Sequence, residues 1–197
     1  MYKRQPNQLA SPPVIRSNTP LTFSTDTTLQ PGIYSSVTVT GGTLTLNEGV
    51  YVFRATTGLT IQNNARVVSS GDGVTIYLAC TSYPAPCSGS GARFRVEDSS
   101  RFQATPPTSG EYAGLSIFAD RGNTRFMRLQ SSQDLNLAGA LYGASMAVRI
   151  EDSGDLRVDS LLAVGSLATN LFSPGSVSVS YDPSTDILGL ARPVLIR

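Results

Sequence analysis

Short triplets of the form apolar–polar–apolar recur through the chain, and no longer hydrophobic pattern competes with them. They are Val37-Thr38-Val39, Leu44-Thr45-Leu46, Leu59-Thr60-Ile61, Val74-Thr75-Ile76, Phe94-Arg95-Val96, Leu115-Ser116-Ile117, Leu135-Asn136-Leu137, Val148-Arg149-Ile150, Leu156-Arg157-Val158 and Val177-Ser178-Val179. Alternation with period 2 places one side of a strand in a core and the other side out. Gly, Asn, Asp and Ser, which favour turns, lie between the triplets. No stripe at i, i+3, i+4, i+7 lasts a full helix, and Leu161 to Leu171 is the best helical candidate.

The triplets are spaced in a coarse frame. Pro31-Gly32-Ile33-Tyr34 is echoed at Glu48-Gly49-Val50-Tyr51, and Gly49-Val50-Tyr51-Val52-Phe53 is echoed at Gly73-Val74-Thr75-Ile76-Tyr77. Gly114-Leu115-Ser116-Ile117-Phe118 recurs at Gly139-Ala140-Leu141-Tyr142, and Arg95-Val96-Glu97-Asp98-Ser99 returns as Arg149-Ile150-Glu151-Asp152-Ser153. Three short strands in each such period form one coil of a solenoid. The expected fold is all-β: a right-handed, single-stranded parallel β-helix, with an antiparallel β-sandwich as the alternative. Val50, Val52, Ile61, Val74, Ile76, Leu115, Ile117, Leu135, Leu137, Ile150 and Val158 are expected inside. Thr60, Thr75, Ser116, Asn136, Arg149 and Arg157 are expected outside.

Composition agrees. The 197 residues carry 18 Gly, 12 Pro, 25 Ser and 19 Thr, and only 15% are charged. The absence of His removes Ser-His-Asp and Cys-His nucleophile systems and His-ligated zinc. Lys3 is the only lysine, so there is no Gly-Lys-Ser/Thr phosphate loop. With 15 basic and 14 acidic residues the net charge is +1, and nucleic acid is not an expected partner.

Residues 1–20 read as a linker holding Pro6, Pro12, Pro13 and Pro20; residues 21–181 read as the β-helix domain and 182–197 as a C-terminal tail. Met1-Tyr2-Lys3-Arg4-Gln5 is similar to the translation of a transposon end used in sequencing-library preparation. The natural chain is therefore expected to extend upstream, with any membrane association made through that missing part. Two insertions, Ala79 to Gly91 and Thr105 to Tyr112, interrupt the frame and are expected to project from coil corners as loops.

Several pieces occur in a fixed order: Leu29-x-Pro31-Gly32-x-Tyr34, Leu46-x-x-Gly49-Val50-Tyr51, Gly73-Val74-Thr75-Ile76-Tyr77-Leu78, Ala104-Thr105-Pro106-Pro107-Thr108-Ser109-Gly110-x-Tyr112-Ala113-Gly114-Leu115, and Leu137-x-Gly139-x-Leu141-Tyr142. Over about residues 28 to 181 this series resembles the C-terminal β-helical region of tight-adherence (Tad/Flp) pilus-assembly-like proteins of the bacterial envelope. Two departures stand out: the family usually has an apolar N-terminal anchor, and it usually reads Ala-Pro-Thr where this chain has Pro106-Pro107-Thr108. The resemblance implies a structural or adhesive role at a pilus or cell surface, outside the cytoplasm, with pilus or envelope proteins and surface glycans as partners. It implies no reaction and no cofactor. The alternative is a carbohydrate-binding or polysaccharide-degrading β-helix protein.

Cys80 and Cys87 lack Cys-x-x-Cys spacing and read as a disulfide pinning the first insertion in an oxidising compartment. Tyr83, Glu111, Tyr112 and Arg121 are the candidate partner-binding residues: the two insertions carry the tyrosines on a rigid scaffold, and Glu111 and Arg121 bracket them with charge. The densest carboxylates are Glu97-Asp98, Glu151-Asp152, Asp155 and Asp159, beside Arg95, Arg149 and Arg157. At solvated turns such groups neutralise one another. No metal is expected; Glu151, Asp152 and Asp155 are the residues that would hold calcium if the corner took one. The tyrosines at equivalent places in the repeat are expected to stack as ladders along the solenoid.

Overall fold

The structure, a computed structural model, describes residues 14–131, 135–151, 154–169 and 175–180. Among these residues every regular element is a strand. The strands wind through successive coils. Coil 1 holds β1 (Ile15–Ser17), β2 (Leu21–Phe23) and β3 (Thr27–Leu29); coil 2 holds β4 (Gly32–Tyr34), β5 (Val37–Val39) and β6 (Thr43–Leu46). Coil 3 holds β7 (Gly49–Phe53), β8 (Leu59–Ile61) and β9 (Arg66–Ser69); coil 4 holds β10 (Val74–Leu78), β11 (Phe94–Asp98) and β12 (Arg101–Gln103). Coil 5 holds β13 (Leu115–Ala119), β14 (Phe126–Ser131) and β15 (Leu135–Leu137). In coil 6, β16 (Ala140–Glu151) turns a corner and serves two faces before β17 (Leu156–Val158); in coil 7, β18 (Leu162–Thr169) does the same before β19 (Val177–Val179).

The strands form three parallel faces. Face A stacks β1, β4, β7, β10, β13 and the first halves of β16 and β18; face B stacks β2, β5, β8, β11, β14 and the second halves. Face C stacks β3, β6, β9 and β12, then β15, β17 and β19. The parallel β-helix expected from the triplets is thus the fold, and every triplet lies inside a strand. The β-sandwich alternative is excluded, because every strand pairing is parallel.

Some boundaries move. The solenoid begins at Ile15, inside the expected linker, because β1 pairs with β4. Residues 1–13 and 181–197 lie outside the described set. The helical candidate at 161–171 is a strand over Leu162–Thr169, held by its parallel partner β16.

Down face A, Ile15, Ile33, Val52, Tyr77, Phe118, Tyr142 and Ala163 are successive register partners. The coils are therefore unequal, and the one running from Tyr77 to Phe118 takes the most chain. The sequence echo pairs Val52 with Ile76, whereas the register pairs Tyr51 with Ile76 and Val52 with Tyr77. A one-residue slip exchanges the two sides of a strand. Tyr51 and Phe53 therefore join Ile76 and Leu78 in the interior, and Val52 points the other way with Tyr77. Interior Tyr51 remains satisfied: its hydroxyl lies 2.7 Å from the Leu29 carbonyl and 2.9 Å from that of Asn47.

The second side of face A is not solvent. Val52, Tyr77, Leu115, Phe118 and Ala140 form a second apolar cluster with Tyr83 and Tyr112 from the two insertions. Each insertion thus turns one tyrosine back onto this face, while most of its other residues remain exposed. Strands covered on both sides read as near-continuous apolar runs, and all of β10 and β13 is buried. Thr75 and Ser116, expected outside, are buried for the same reason; the Thr75 hydroxyl donates to the Leu115 carbonyl at 2.9 Å. Thr60 is buried beside Arg95, its register partner in face B, where long arginine stems shield the surface they cross. Val50 is half-buried against the second cluster. The other expected core residues are buried, and Asn136, Arg149 and Arg157 are exposed.

Carboxylates tie neighbouring coils together at corners. The Thr43 amide donates to Asp26 (2.7 Å), the Asp72 amide to Glu48 (3.0 Å), the Asn63 amide to Asp98 (2.9 Å) and the Ser176 amide to Asp155 (2.9 Å). Each satisfies a backbone donor that a turn takes out of the ladder.

Candidate functional site

The outer side of face B is the charged surface that the fold organises most regularly. Because parallel strands stack in register at about 4.8 Å, residues at one strand position become a column. One column runs Thr38, Thr60, Arg95, Arg128, Arg149, Ala168, and the next runs Glu97, Gln130, Glu151. On the other flank Phe126 faces Ala147, and the Arg93 guanidinium lies 5.1 Å from the Phe126 ring centre. The repeated Arg-x-Glu-Asp-Ser motif thus stands two coils apart on one surface, with coil 5 between its copies.

Arg128 joins those copies. Its Nε and Nη2 donate to Glu151 Oε2 at 2.8 and 2.5 Å, and its Nη1 lies 3.5 Å from Glu97 Oε1. Glu97 Oε1 also receives Arg95 Nη2. The chain Arg95–Glu97–Arg128–Glu151 is an ion-pair network of half-buried side chains, and such networks hold their members more firmly than isolated surface pairs.

A second set of arginines lies outside the network. Arg149 places its guanidinium 4.6 Å from the Phe126 ring centre, from the coil opposite Arg93. Arg125 directly precedes Phe126. Among the described residues no carboxylate is paired with Arg93, Arg125 or Arg149. The Nε atoms of Arg93, Arg95 and Arg125 are buried without a protein acceptor. Burial, followed by the neighbouring charges of Arg125 and Arg95, lowers the pKa of Arg93 below its ordinary value. Cations are therefore crowded here, and their donors are incompletely used.

The residues expected at the insertions fare differently. Tyr83 and Tyr112 are 6% and 5% exposed, so neither ring is offered to a partner. Burial raises the pKa of both hydroxyls; for Tyr112 the neighbouring Glu111 carboxylate adds to the effect. Tyr83 meets Tyr77 edge-on at 5.9 Å, while Tyr77, Phe118 and Tyr142 stack with ring centres 5.3 and 5.2 Å apart. Tyr34, Tyr51 and Phe53 make a separate aromatic cluster inside the coil. The ladder expectation holds, but the aromatics are divided between opposite sides of face A. Glu111 and Arg121 do not join this cluster: Glu111 is exposed and Arg121 likewise.

Cys80 and Cys87 are disulfide-bonded, with Cα atoms 5.3 Å apart, a bond that persists in oxidising compartments. The loop they close is clamped by buried Asn123. Its side chain donates to the carbonyls of Leu78 (3.2 Å) and Ala92 (2.9 Å) and accepts from the amides of Gly91 (3.1 Å) and Arg125 (3.0 Å).

The three calcium candidates do not form a described cluster. Glu151 belongs to the ion-pair network on face B, Asp155 caps Ser176 at a corner, and Asp152 lies outside the described residues. Among the described residues no group of three or more acidic or Cys side chains is placed to hold a metal.

Sequence reasoning missed Arg93, Arg125, Phe126 and Arg128. The signal was present as Arg128-Leu129-Gln130-Ser131, a third variant of the Arg-x-Glu motif with Gln130 in the Glu position. Unequal coil lengths hid it.

The fold and this surface define a parallel β-solenoid with an arginine-rich ladder on one face. No protein-family model matches the chain, and no curated protein or solved structure does so either.

Proposed function

We propose that this chain is a non-enzymatic structural or adhesive module that works outside the cytoplasm, associated with a bacterial pilus or cell surface. One observation carries the reading: stacked parallel coils, onto which both insertions are anchored by Tyr83 and Tyr112, present an ordered lattice of side chains. Repeat rods of this kind serve as scaffolds and extended binding faces. The disulfide supports placement in the periplasm or at the cell surface, and the resemblance to tight-adherence proteins supports the pilus association. Glu97 and Glu151 already accept from Arg128, an arrangement better suited to holding a surface in shape than to protonating a glycosidic oxygen.

The test pairs attachment with turnover. Cells lacking the gene should lose surface attachment and regain it on complementation, and the purified protein should release no fragments from acidic polysaccharides. Depolymerisation that disappears in Glu151→Gln or Arg149→Ala would replace this reading with that of a polysaccharide-degrading enzyme.

A further inference from the structure

We propose that the outer side of face B in coils 4 to 6 binds a linear acidic polysaccharide that crosses these coils, with its anionic groups seated on Arg93, Arg125 and Arg149. This goes beyond the structural-module reading by naming a surface and a ligand class, and it stands or falls independently of any pilus.

Charge is the first support. Arg93, Arg95, Arg125, Arg128 and Arg149 against Glu97 and Glu151 give this patch a formal +3, although the whole chain carries only +1. Everything outside the patch therefore sums to a formal −2. A net positive patch on a nearly neutral molecule steers oppositely charged ligands to one place.

Unused hydrogen-bonding capacity is the second. Arg93, Arg125 and Arg149 have no carboxylate partner among the described residues, and the Nε donors of Arg93, Arg95 and Arg125 are buried without a protein acceptor. A buried donor left unpaired is destabilising. An incoming carboxylate or sulfate relieves the repulsion among the guanidiniums, and Arg can meet such groups in a bidentate fashion where its terminal nitrogens face solvent.

Placement is the third. The three arginines without a carboxylate partner are distributed one to a coil, in coils 4, 5 and 6: Arg149 stands in the Arg95–Arg128 column, while Arg93 and Arg125 precede β11 and β14 at its edge, so the seats cross the coils obliquely. Arg128 and Phe126 hold the middle of the row through the ion-pair network and two cation–π contacts, which reduces the ordering cost of binding.

The lattice also discriminates among polyanions. Glu97, Gln130 and Glu151 form a column of acceptors beside the arginines, suited to the hydroxyl donors that a glycan carries in number and a DNA backbone lacks. Single-stranded nucleic acid is held by stacking its bases on aromatic rings, and Phe126 is already engaged by two guanidiniums.

The experiment uses the full disulfide-bonded chain in calorimetric titrations against polygalacturonate, alginate, heparin, neutral dextran and poly(dT) at low and moderate salt. Binding is expected for at least one of the first three, weakening as salt rises, with none for dextran. Binding by the uronates or by heparin alone identifies carboxylate or sulfate as the seated group, and either supports the proposal. The variant Arg93→Gln/Arg125→Gln/Arg149→Gln should weaken binding by about tenfold or more. The variant Arg66→Gln/Arg101→Gln/Arg157→Gln loses the same charge from face C and should bind as the unmodified chain does. If the face B triple variant fails to fold, Arg149→Gln alone, at an exposed position, replaces it and should still weaken binding several-fold. The proposal is overturned if no acidic glycan binds, if the two triple variants weaken binding equally, if the face B variant binds normally, or if poly(dT) binds more tightly than every glycan.

Discussion

The Gly91 amide donates to Asn123 Oδ1 at 3.1 Å, and the two residues are so close that a Cβ at Gly91 would fall 2.3 Å from the Asn123 carboxamide carbon. Asn123 is fully buried and closes the first insertion where it leaves and re-enters the solenoid. Asn123→Leu leaves two amides and two carbonyls without their partner. The expected loss is on the order of 2–4 kcal/mol in denaturant unfolding. Gly91→Ala should be destabilising by a similar mechanism, because the carboxamide has to move. Midpoints unchanged in both variants would show that the clamp contributes nothing.

The Cys80–Cys87 disulfide closes a short loop, and its removal in Cys80→Ser/Cys87→Ser is expected to cost about 2–3 kcal/mol through chain entropy. The damage should be local. Limited proteolysis should cut between Thr81 and Ser90, while the far-ultraviolet signature of the parallel sheets persists. Loss of the whole sheet signal would mean that the loop is integral to the rod.

Phe118 is stacked between Tyr77 and Tyr142 under the cover of the insertions. Phe118→Ala removes both stacks and leaves a cavity, with an expected loss of about 3–5 kcal/mol. Phe118→Leu should recover part of that. Equal effects of the two variants would show that the ring geometry is immaterial.

Arg128 stands between two carboxylates, so Arg128→Met leaves Glu97 and Glu151 facing each other without their shared cation. A loss on the order of 1–2 kcal/mol is expected, because these side chains are only partly buried and solvent screens them. Adding Glu97→Gln and Glu151→Gln to the same chain should restore much of it. The triple variant being no more stable than Arg128→Met would argue against the network.

Asp155 is held below the usual carboxylate range by hydrogen bonds from the Ser176 hydroxyl and amide, helped by Arg157. With a folded-state pKa below the unfolded value, its contribution is present above about pH 4 and is lost as pH falls through the folded-state value. The protection of the Ser176 amide relative to its intrinsic exchange rate should therefore fall on acidification below about pH 4. In Asp155→Asn that step should be absent.

The strands were legible because a period of 2 punctuated by turn residues admits few readings, and the coil frame followed from the echoes. What sequence could not supply was the register. The Gly-Val-Tyr of coil 3 and the Gly-Val-Thr of coil 4 look superposable, yet Tyr51 pairs with Ile76. Face A is covered on both sides, and even Thr75 and Ser116 are buried in it, so alternation of exposure does not betray a slip of one position. Tyr83 and Tyr112 looked like exposed rings because an insertion says nothing of which way it folds. Their burial depends on an apolar outer side of face A that became visible only with the correct register. Arg128 was hidden for a related reason: its motif recurs at uneven distances, lying nearer in sequence to Arg149 than to Arg95 although all three are neighbours in one column.

The uneven coils have one more consequence. Coil 4 runs from Tyr77 to Phe118 before it returns to its starting column, whereas coil 1 needs only the stretch from Ile15 to Ile33, yet each lifts the chain by the same strand spacing. Reach is thus set by the number of windings and not by chain length: from β1 to β18, six steps of about 4.8 Å give about 29 Å. The insertions thicken the rod on one side only. A mutation that lengthens them would change girth and leave the pitch of the arginine row untouched, so sequence drift in the loops and the spacing of the lattice are free to vary separately.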